Sequence, residues 1–443
     1  MELKSKTDQV KFPRVVIVGG GFGGMAVARK LEDKPVEVTL VDKHNYHTFQ
    51  PLLYQVAIGS LESESIAFSL RKNFSGQSNF RFRIAELIEV NTEKSMIDTT
   101  IGEISYDYLV IATGSTTNYF GNKDIEKFSM PMKSIPEALN LRYLILQNLD
   151  DAVLLKTKDE REPYLNFVLV GAGPTGVELA GALSELRAHI LDKDYPELKK
   201  EDMKVYLVDF LPKVLNTMSN AASKGAHKFL KKMGVELLLG EKVATYDGTE
   251  LKFESGKAIP TKSVIWSAGV MGVVPKGIPR NIVEKGNRIK INENCIVEGT
   301  TNVFAIGDVS AMITEKTPQG HPGVAQTAIQ MGNYVAENII RIINGESLSP
   351  FKYNDKGSLA TIGRNRAVAD LGKLKFQGFF AWLIWMFVHL VSLLGFRKKL
   401  VVLINWIGSY FTYNGGARLI IRSFVKEDKP HKSATTLKTD SKN

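Results

Sequence analysis

Glycine is dense at two places in this chain, each between an apolar run and a helix-like stretch. The first reads "VVIVGGGFGGMAVARKL" over 15–31, with five glycines in the six positions 19–24. The second, "NFVLVGAGPTGVELAGALSEL" over 166–186, repeats the order of strand, glycine turn and helix. Each is followed by another apolar strand that ends in an aspartate, Asp42 in "VEVTLVDK" and Asp209 in "MKVYLVDF". A further strand and glycine turn closes each unit: "YDYLVIATGS" with Thr113 and Gly114, and "KSVIWSAGV" over 262–270 with Ala268 and Gly269. Such a duplicated pattern confines the chain to an α/β fold with two Rossmann-like dinucleotide-binding domains.

The glycine spacing has a chemical meaning. Gly19, Gly21 and Gly24 fit G-x-G-x-x-G, and so do Gly171, Gly173 and Gly176. In that motif the first glycine permits a tight turn, the second lets backbone approach a pyrophosphate, and the third lets helix and strand pack closely. The phosphates then meet the free N–H groups and positive end of the helix. Asp42 and Asp209 are placed to accept hydrogen bonds from ribose hydroxyls. A carboxylate at 209 suits a free 2′-hydroxyl and repels a 2′-phosphate, which favours NADH, while the nearby Lys213 leaves NADPH open. Two dinucleotide sites in one chain imply a resident electron carrier and an exchangeable substrate, and a flavin with a nicotinamide forms the natural pair.

The length of 443 residues implies several domains. A net charge of +10 favours anionic partners, but no basic stretch with interleaved aromatics points to nucleic acid. The one cysteine, Cys295, cannot form the redox pair that disulfide reductases and sulfide:quinone oxidoreductases need beside a flavin. It precedes a strand and reads as a small core residue. Electrons must then pass from the flavin directly to an acceptor. The N-terminal "MELKSKTDQVKFPR" has no apolar core, so no signal peptide is expected, and no metal site is expected either.

Residues 379–396 form an 18-residue apolar run with one histidine and no charge, long enough by itself to be a membrane-span candidate. On a helical projection its small or polar side is Gln377, Gly378, Ala381, Trp385, Val388, His389, Ser392 and Gly395. The oily side is Phe380, Leu383, Met386, Phe387, Leu390 and Leu394. Such a helix rests its small face on protein and its oily face in lipid. A second apolar stretch, 400–413, is short for a span, and Arg397, Lys398, Lys399, Arg418 and Arg422 are placed to meet anionic lipid. A spanning hairpin, a buried hydrophobic helix and a dimer interface are the rival readings of this segment, so a homodimer stays open.

Several further segments, taken in order, resemble the type II NADH dehydrogenases, single-subunit and non-proton-pumping NADH:quinone oxidoreductases. They are "NYHTFQPLLYQVAIG" (45–59), "GAGPTGVELAG" (171–181), "VFAIGDVS" (303–310), "GVAQTAIQMG" (323–332) and "GSLATIGRNRAVADLG" (357–372). The resemblance runs from about Arg14 to Phe424. It implies that Gly19, Gly20, Gly21, Phe22, Gly23, Gly24, Asp42, Lys43, Thr113, Gly114 and Asp308 hold FAD. It implies that Gly171, Gly173, Pro174, Thr175, Gly176, Asp209, Ala268 and Gly269 hold NADH. Glu178 is expected beside the nicotinamide, and Gln326 and Gln330 at the flavin–quinone junction, positioning substrates or relaying protons. Lys373 or Lys375 is a further candidate near the flavin, and His44 and His47 are candidate general acids or plain loop histidines.

The expected organisation is a FAD domain in two parts (1–120 and 271–375), an NADH domain (121–270), a C-terminal helical membrane anchor (376–425) and a flexible polar tail (426–443). The implied reaction is hydride transfer from NADH to FAD, then two-electron reduction of a membrane quinone, at the cytoplasmic face of a bacterial inner membrane. The alternatives are a soluble NADH-dependent flavoprotein reductase with another acceptor, and a sensor that binds both nucleotides without turnover.

Overall fold

A computed structural model describes residues 12–315, 317–412 and 418–421. Arg422 and the tail from 426 lie outside the described residues. Two five-stranded parallel sheets form the centre. The first runs Val303–Ala305, Tyr108–Ile111, Arg14–Val18, Glu37–Asp42, Phe80–Ile84. The second runs Met130–Pro131, Ser263–Trp266, Asn166–Val170, Lys204–Asp209, Val235–Leu239. Both have the doubly wound arrangement in which the strand carrying the glycine turn is central. The central strands read as unbroken apolar runs because both faces are covered, and Val15 to Val18 are at most 4% exposed. The first sheet takes its strands from two distant parts of the chain, with 303–305 pairing beside 108–111.

Each glycine turn leads into a helix: α1 (Phe22–Lys30) and α2 (Pro174–His189). A third helix, α3 (Ala325–Ile343), crosses α1 at backbone range. A Cβ added to Gly332 would lie 2.5 Å from the Gly23 carbonyl oxygen, so the crossing requires that glycine. The strand and turn read over 262–270 divide at Trp266, where the following Ser267–Ala268 backbone turns to abut Gly171.

The third region is an antiparallel sheet of Ser358–Gly363, Arg366–Leu371 and Leu374–Gly378. The sheet therefore runs past 376, and the apolar helix α4 starts at Phe379. Helix α2 packs on this sheet so closely that a Cβ at Gly181 would sit 1.7 Å from the Ile362 carbonyl oxygen. Asp370 ties the same sheet to the head of the helix Asn220–Lys232 by accepting from the Ser219 N–H (2.7 Å) and hydroxyl (2.8 Å).

Helix α4 (Phe379–Ser392) is shorter than the apolar run that encodes it. Leu393 is extended and Gly395 adopts φ +73°, so the chain turns and starts α5 (Phe396–Thr412). Fourteen residues give a helix of about 21 Å against a hydrocarbon thickness of about 30 Å. No helix among the described residues is long and apolar enough to cross a membrane. Ala381 and Trp385 are buried as expected, and Phe380 (70% exposed) and Phe387 (67%) face outward. Met386, Leu390 and Leu394, placed on the oily side by projection, instead pack against the core. The return of the chain along α5 supplies a second protein surface that a single-helix projection does not contain.

Helix α5 is fastened to the segment 53–69. The Trp406 indole donates to Gln55 Oε1 (2.9 Å) and Asn405 donates to Glu62 (2.8 Å). Lys398 Nζ donates to the Glu64 (2.5 Å) and Ala67 carbonyls and lies over the Phe68 ring.

The Gly181 contact yields a stability prediction. Gly181→Ala should force α2 off the antiparallel sheet and cost about 2–3 kcal/mol, an overpacking penalty. Gly240→Ala, where nothing lies within 4 Å of the added Cβ but φ is +79°, should cost only the backbone strain, about 1 kcal/mol. Chemical denaturation midpoints compare the two.

Candidate active site

The two glycine turns are sterically matched position by position. A Cβ at Gly19 would lie 2.2 Å from the Ala112 oxygen, and one at Gly171 would lie 2.6 Å from Ser267 and Ala268 backbone. At Gly24 and at Gly176 the clash is 1.9 Å, with the carbonyl oxygens of Gly19 and Gly171 respectively. At Gly21 and Gly173 nothing lies within 4 Å. The outer glycines are thus demanded by packing, while each middle glycine opens onto free space. Each middle glycine is also the N-cap of its helix and makes no side-chain cap, so helix N–H groups remain for an anion. Each cradle fits the pyrophosphate group of a dinucleotide.

The two acidic residues are matched as well. Asp42 accepts from the N–H groups of Gly20 (2.5 Å) and His44 (2.6 Å). Asp209 accepts from those of Ala172 (2.6 Å) and Leu211 (2.8 Å). Each carboxylate therefore orients its own glycine loop, using one lone pair on each oxygen and leaving others for ribose hydroxyls. His47 is buried, with Nδ1 3.0 Å from the Gly20 carbonyl, and burial lowers its pKa to about 4. It stays neutral at physiological pH and donates to that carbonyl, which suits a structural prop better than a general acid. His44 stacks on Tyr46, and burial lowers its pKa as well.

Beside the first cradle, Thr113 donates to the Val273 carbonyl (2.7 Å). Gly114 has φ +70°. Asp308 accepts from the Ser115 hydroxyl (2.5 Å), which in turn accepts from Lys133 Nζ (3.0 Å). Neither Ser115 nor Lys133 is singled out by the sequence, because each carries no motif of its own and the chain must fold to bring 115, 133 and 308 together. Phe22 meets His47 edge-on at 4.7 Å. In the second cradle Pro174 and Thr175 are exposed at the head of α2, and Gly269 lies under Phe120, whose ring would be 2.9 Å from an added Cβ.

Gln326 and Gln330 share a face of α3, and both amides are engaged by one backbone segment. Gln326 donates to the Gly357 carbonyl (3.1 Å) and accepts from the Lys356 N–H (3.0 Å). Gln330 donates to the Asn354 carbonyl and accepts from its N–H, both at 2.9 Å. The pair fastens 354–357 to α3 ahead of the antiparallel sheet. Lys373 and Lys375 are exposed, and neither lines the cavity described next.

Glu178 enters a cavity of about 130 Å³ bounded by three parts of the molecule. Tyr54 and Gln55 come from the first unit, Glu178 and Glu185 from α2, and Trp385 and Trp406 from the C-terminal helices. Burial pushes the Glu178 carboxyl up to about 8, opposed by the Thr361 N–H and the Trp385 indole. Trp385 is 2% exposed, and its indole faces the Glu178 carboxyl. Tyr54 was not singled out from sequence, and neither tryptophan was placed at a cavity. Trp385 does fall with Ala381 and His389 on one helix side, a periodicity that marks a protein-facing stripe.

Residues 13–332 match the pyridine nucleotide-disulphide oxidoreductase family, and residues 356–413 match the NDH2 C-terminal domain. The type II NADH:quinone oxidoreductase Ndh of Mycobacterium tuberculosis is 36% identical over 91% of this chain and 89% of its own. The external alternative NADH-ubiquinone oxidoreductase of Yarrowia lipolytica is 28% identical over 88% of this chain and 78% of its own. Among solved structures, Plasmodium falciparum NDH2 in complex with NADH superposes with a TM-score of 0.84 at 22% identity, covering 93% of this chain and all of that one. The sulfide:quinone oxidoreductase of Aquifex aeolicus superposes at 0.69 with 20% identity, covering 85% and 90%. It shares the fold with a chain whose one cysteine is buried and whose thiol pKa is raised by that burial. The matched cradles, the C-terminal sheet with its helices and the extent of the likeness together assign this chain to the type II NADH:quinone oxidoreductases.

Proposed function

We propose that FAD is the resident group of the first cradle, that NADH exchanges at the second, and that the cavity at Glu178 receives a quinone from lipid. The observation that carries this reading is the position of the cavity, where both nucleotide units and the C-terminal helices meet. When bound, FAD accepts a hydride and releases electrons in pairs. The net reaction, NADH + H⁺ + quinone → NAD⁺ + quinol, takes up one proton from the medium.

The chain's own residues bind, orient and supply protons. Gly21 and Gly173 admit the two pyrophosphates, and Asp42 and Asp209 engage ribose hydroxyls. The Asp209 carboxylate disfavours a 2′-phosphate. Gln326 and Gln330 act by holding 354–357 and the sheet that floors the cavity. Glu178, protonated at neutral pH, holds a proton where a quinone oxygen needs one, and the Trp385 N–H beside it offers that oxygen a second donor.

Lipid contact is supported by the outward stripe of α4 and α5, with Phe380, Phe387, Phe396 (81% exposed) and Ile404 (58%). This is a one-leaflet docking, and it suits a lipid-soluble substrate. The cationic contribution is smaller than the sequence suggests. Lys398 and Lys399 turn back onto protein carbonyls, and Arg418 pairs with Asp194 at 2.9 Å, leaving Arg397 exposed beside the stripe. Carbonyls at strand and helix ends lacking donors recruit these cations.

Four measurements test the reading. Gly173→Val should leave the thermal midpoint within about 2 °C and raise KM for NADH at least about tenfold, whereas Gly176→Val should not fold. Turnover with quinone should hold up to about pH 8 and fall above it as the Glu178 carboxyl loses its proton. Glu178→Gln should remove that limb and slow quinone reduction by about 10²-fold, while flavin bleaching by NADH in stopped flow stays near wild type. Phe380→Ser with Phe387→Ser should release the protein from phosphatidylglycerol–phosphatidylcholine vesicles in flotation and leave turnover with ferricyanide unchanged.

A further inference from the structure

Glu178 and Glu185 lie seven residues apart on α2, on the same helix face, and both line the cavity. The spacing is two turns, about 10 Å of rise. Tyr54 lines the same cavity between the first unit and this helix face. The Tyr54 hydroxyl is buried and feels the charge of both carboxylates. It accepts a hydrogen bond from the Gln55 amide at 2.9 Å, which leaves its own proton available to donate. Glu178 sits at the inner end, against the Trp385 indole. Glu185 sits at the outer end, where Oε1 accepts from the Arg364 N–H at 2.5 Å.

We propose that Glu185 is the outer member of a proton relay, Glu185 to Tyr54 to Glu178, that refills Glu178 after each quinone reduction. The proposal rests on the reading of this cavity as the quinone end. Glu178 breaks its O–H bond to a quinone oxygen and becomes a carboxylate. Tyr54 passes its proton to that carboxylate and takes one from Glu185. Glu185 then takes a proton from the medium at the cavity mouth. One proton crosses per turnover, the other quinol proton arrives with the hydride of NADH, and charge and atoms balance.

The charged and titratable groups around Glu185 fit a proton-loading position. Arg364 and Arg366 face it from the turn of the antiparallel sheet, Tyr54 from the first unit, Tyr410 from α5, and Glu178 and His189 from its own helix. Burial raises the Glu185 carboxyl and the two arginines oppose that rise. The Arg364 guanidinium is directed to the Tyr410 carbonyl at 2.8 Å, and its backbone N–H alone reaches Glu185 within hydrogen-bond range. A carboxylate locked in a bidentate arginine pair would not serve as a carrier.

The test compares Glu185→Gln, Glu185→Asp and Tyr54→Phe in stopped flow, with a water-soluble short-chain benzoquinone as oxidant. Glu185→Gln is isosteric and still accepts from the Arg364 N–H, so the turn keeps its anchor. The relay expects flavin bleaching by NADH at the wild-type rate in all three. It expects reoxidation by the benzoquinone to slow at least about tenfold at pH 8 in Glu185→Gln and Tyr54→Phe. Glu185→Asp should recover most of that rate, and added imidazolium should restore Glu185→Gln in proportion to its concentration. The protonated-carboxyl band in infrared difference spectra taken across pH should lose one component in Glu185→Gln. Wild-type reoxidation and pH profile in Glu185→Gln overturn the relay, as does equal slowing of both half-reactions without rescue. Glu178→Gln is measured alongside. If it too reoxidises normally, the quinone-end reading of the cavity fails; if only Glu178→Gln is impaired, that reading stands and the relay alone is lost.

Discussion

The fold depends on a pair of backbone contacts too close for any side chain. The third glycine of each turn lies against the carbonyl of the first, with no room for a single carbon. These contacts draw α1 and α2 onto their sheets and aim the helix N–H groups at the space beyond Gly21 and Gly173. They also set where α2 runs, and α2 carries both cavity carboxylates. The Gly181 contact with Ile362 then joins α2 to the antiparallel sheet. A glycine turn that grips a nucleotide at one end therefore places, through one rigid helix, the acid groups that line the cavity at the other. The physical economy is that chemistry and cofactor geometry share a single stiff element.

The cradles were legible from sequence because local rules determine them. A strand, a turn that only glycine tolerates and a helix lie in one stretch of about twenty residues, and their packing needs no distant partner. The same holds for the acidic residues, which follow within one more strand. The buried face of α4 was legible in part, since Ala381 and Trp385 repeat at helical spacing. What the periodicity could not contain was the second surface formed by α5, which buries Met386 and Leu390 and breaks the apolar run at Leu393–Gly395.

The cavity was the least legible part. Its walls come from Tyr54, Glu178, Thr361, Trp385 and Trp406, which share no motif and meet only after three regions have docked. Gln326 and Gln330 were recognised as a pair, yet their amides are both spent on the backbone of 354–357. A four-residue repeat on a helix states that two side chains share a face, and does not say what that face touches. Lys398 shows the same limit for charge, since a lysine beside an apolar stretch reads as a lipid contact until folding supplies unpaired carbonyls.

Cys295 lies within the first core with no measurable surface, and no other thiol exists in the chain. Reduced carriers leak electrons to oxygen, and the peroxide formed attacks accessible thiolates first. Here that weakest point is sealed in apolar packing. The molecule therefore has no sulfhydryl brake: neither alkylating agents nor an oxidising medium would switch it off through a thiol, and its output would follow the supply of its two substrates.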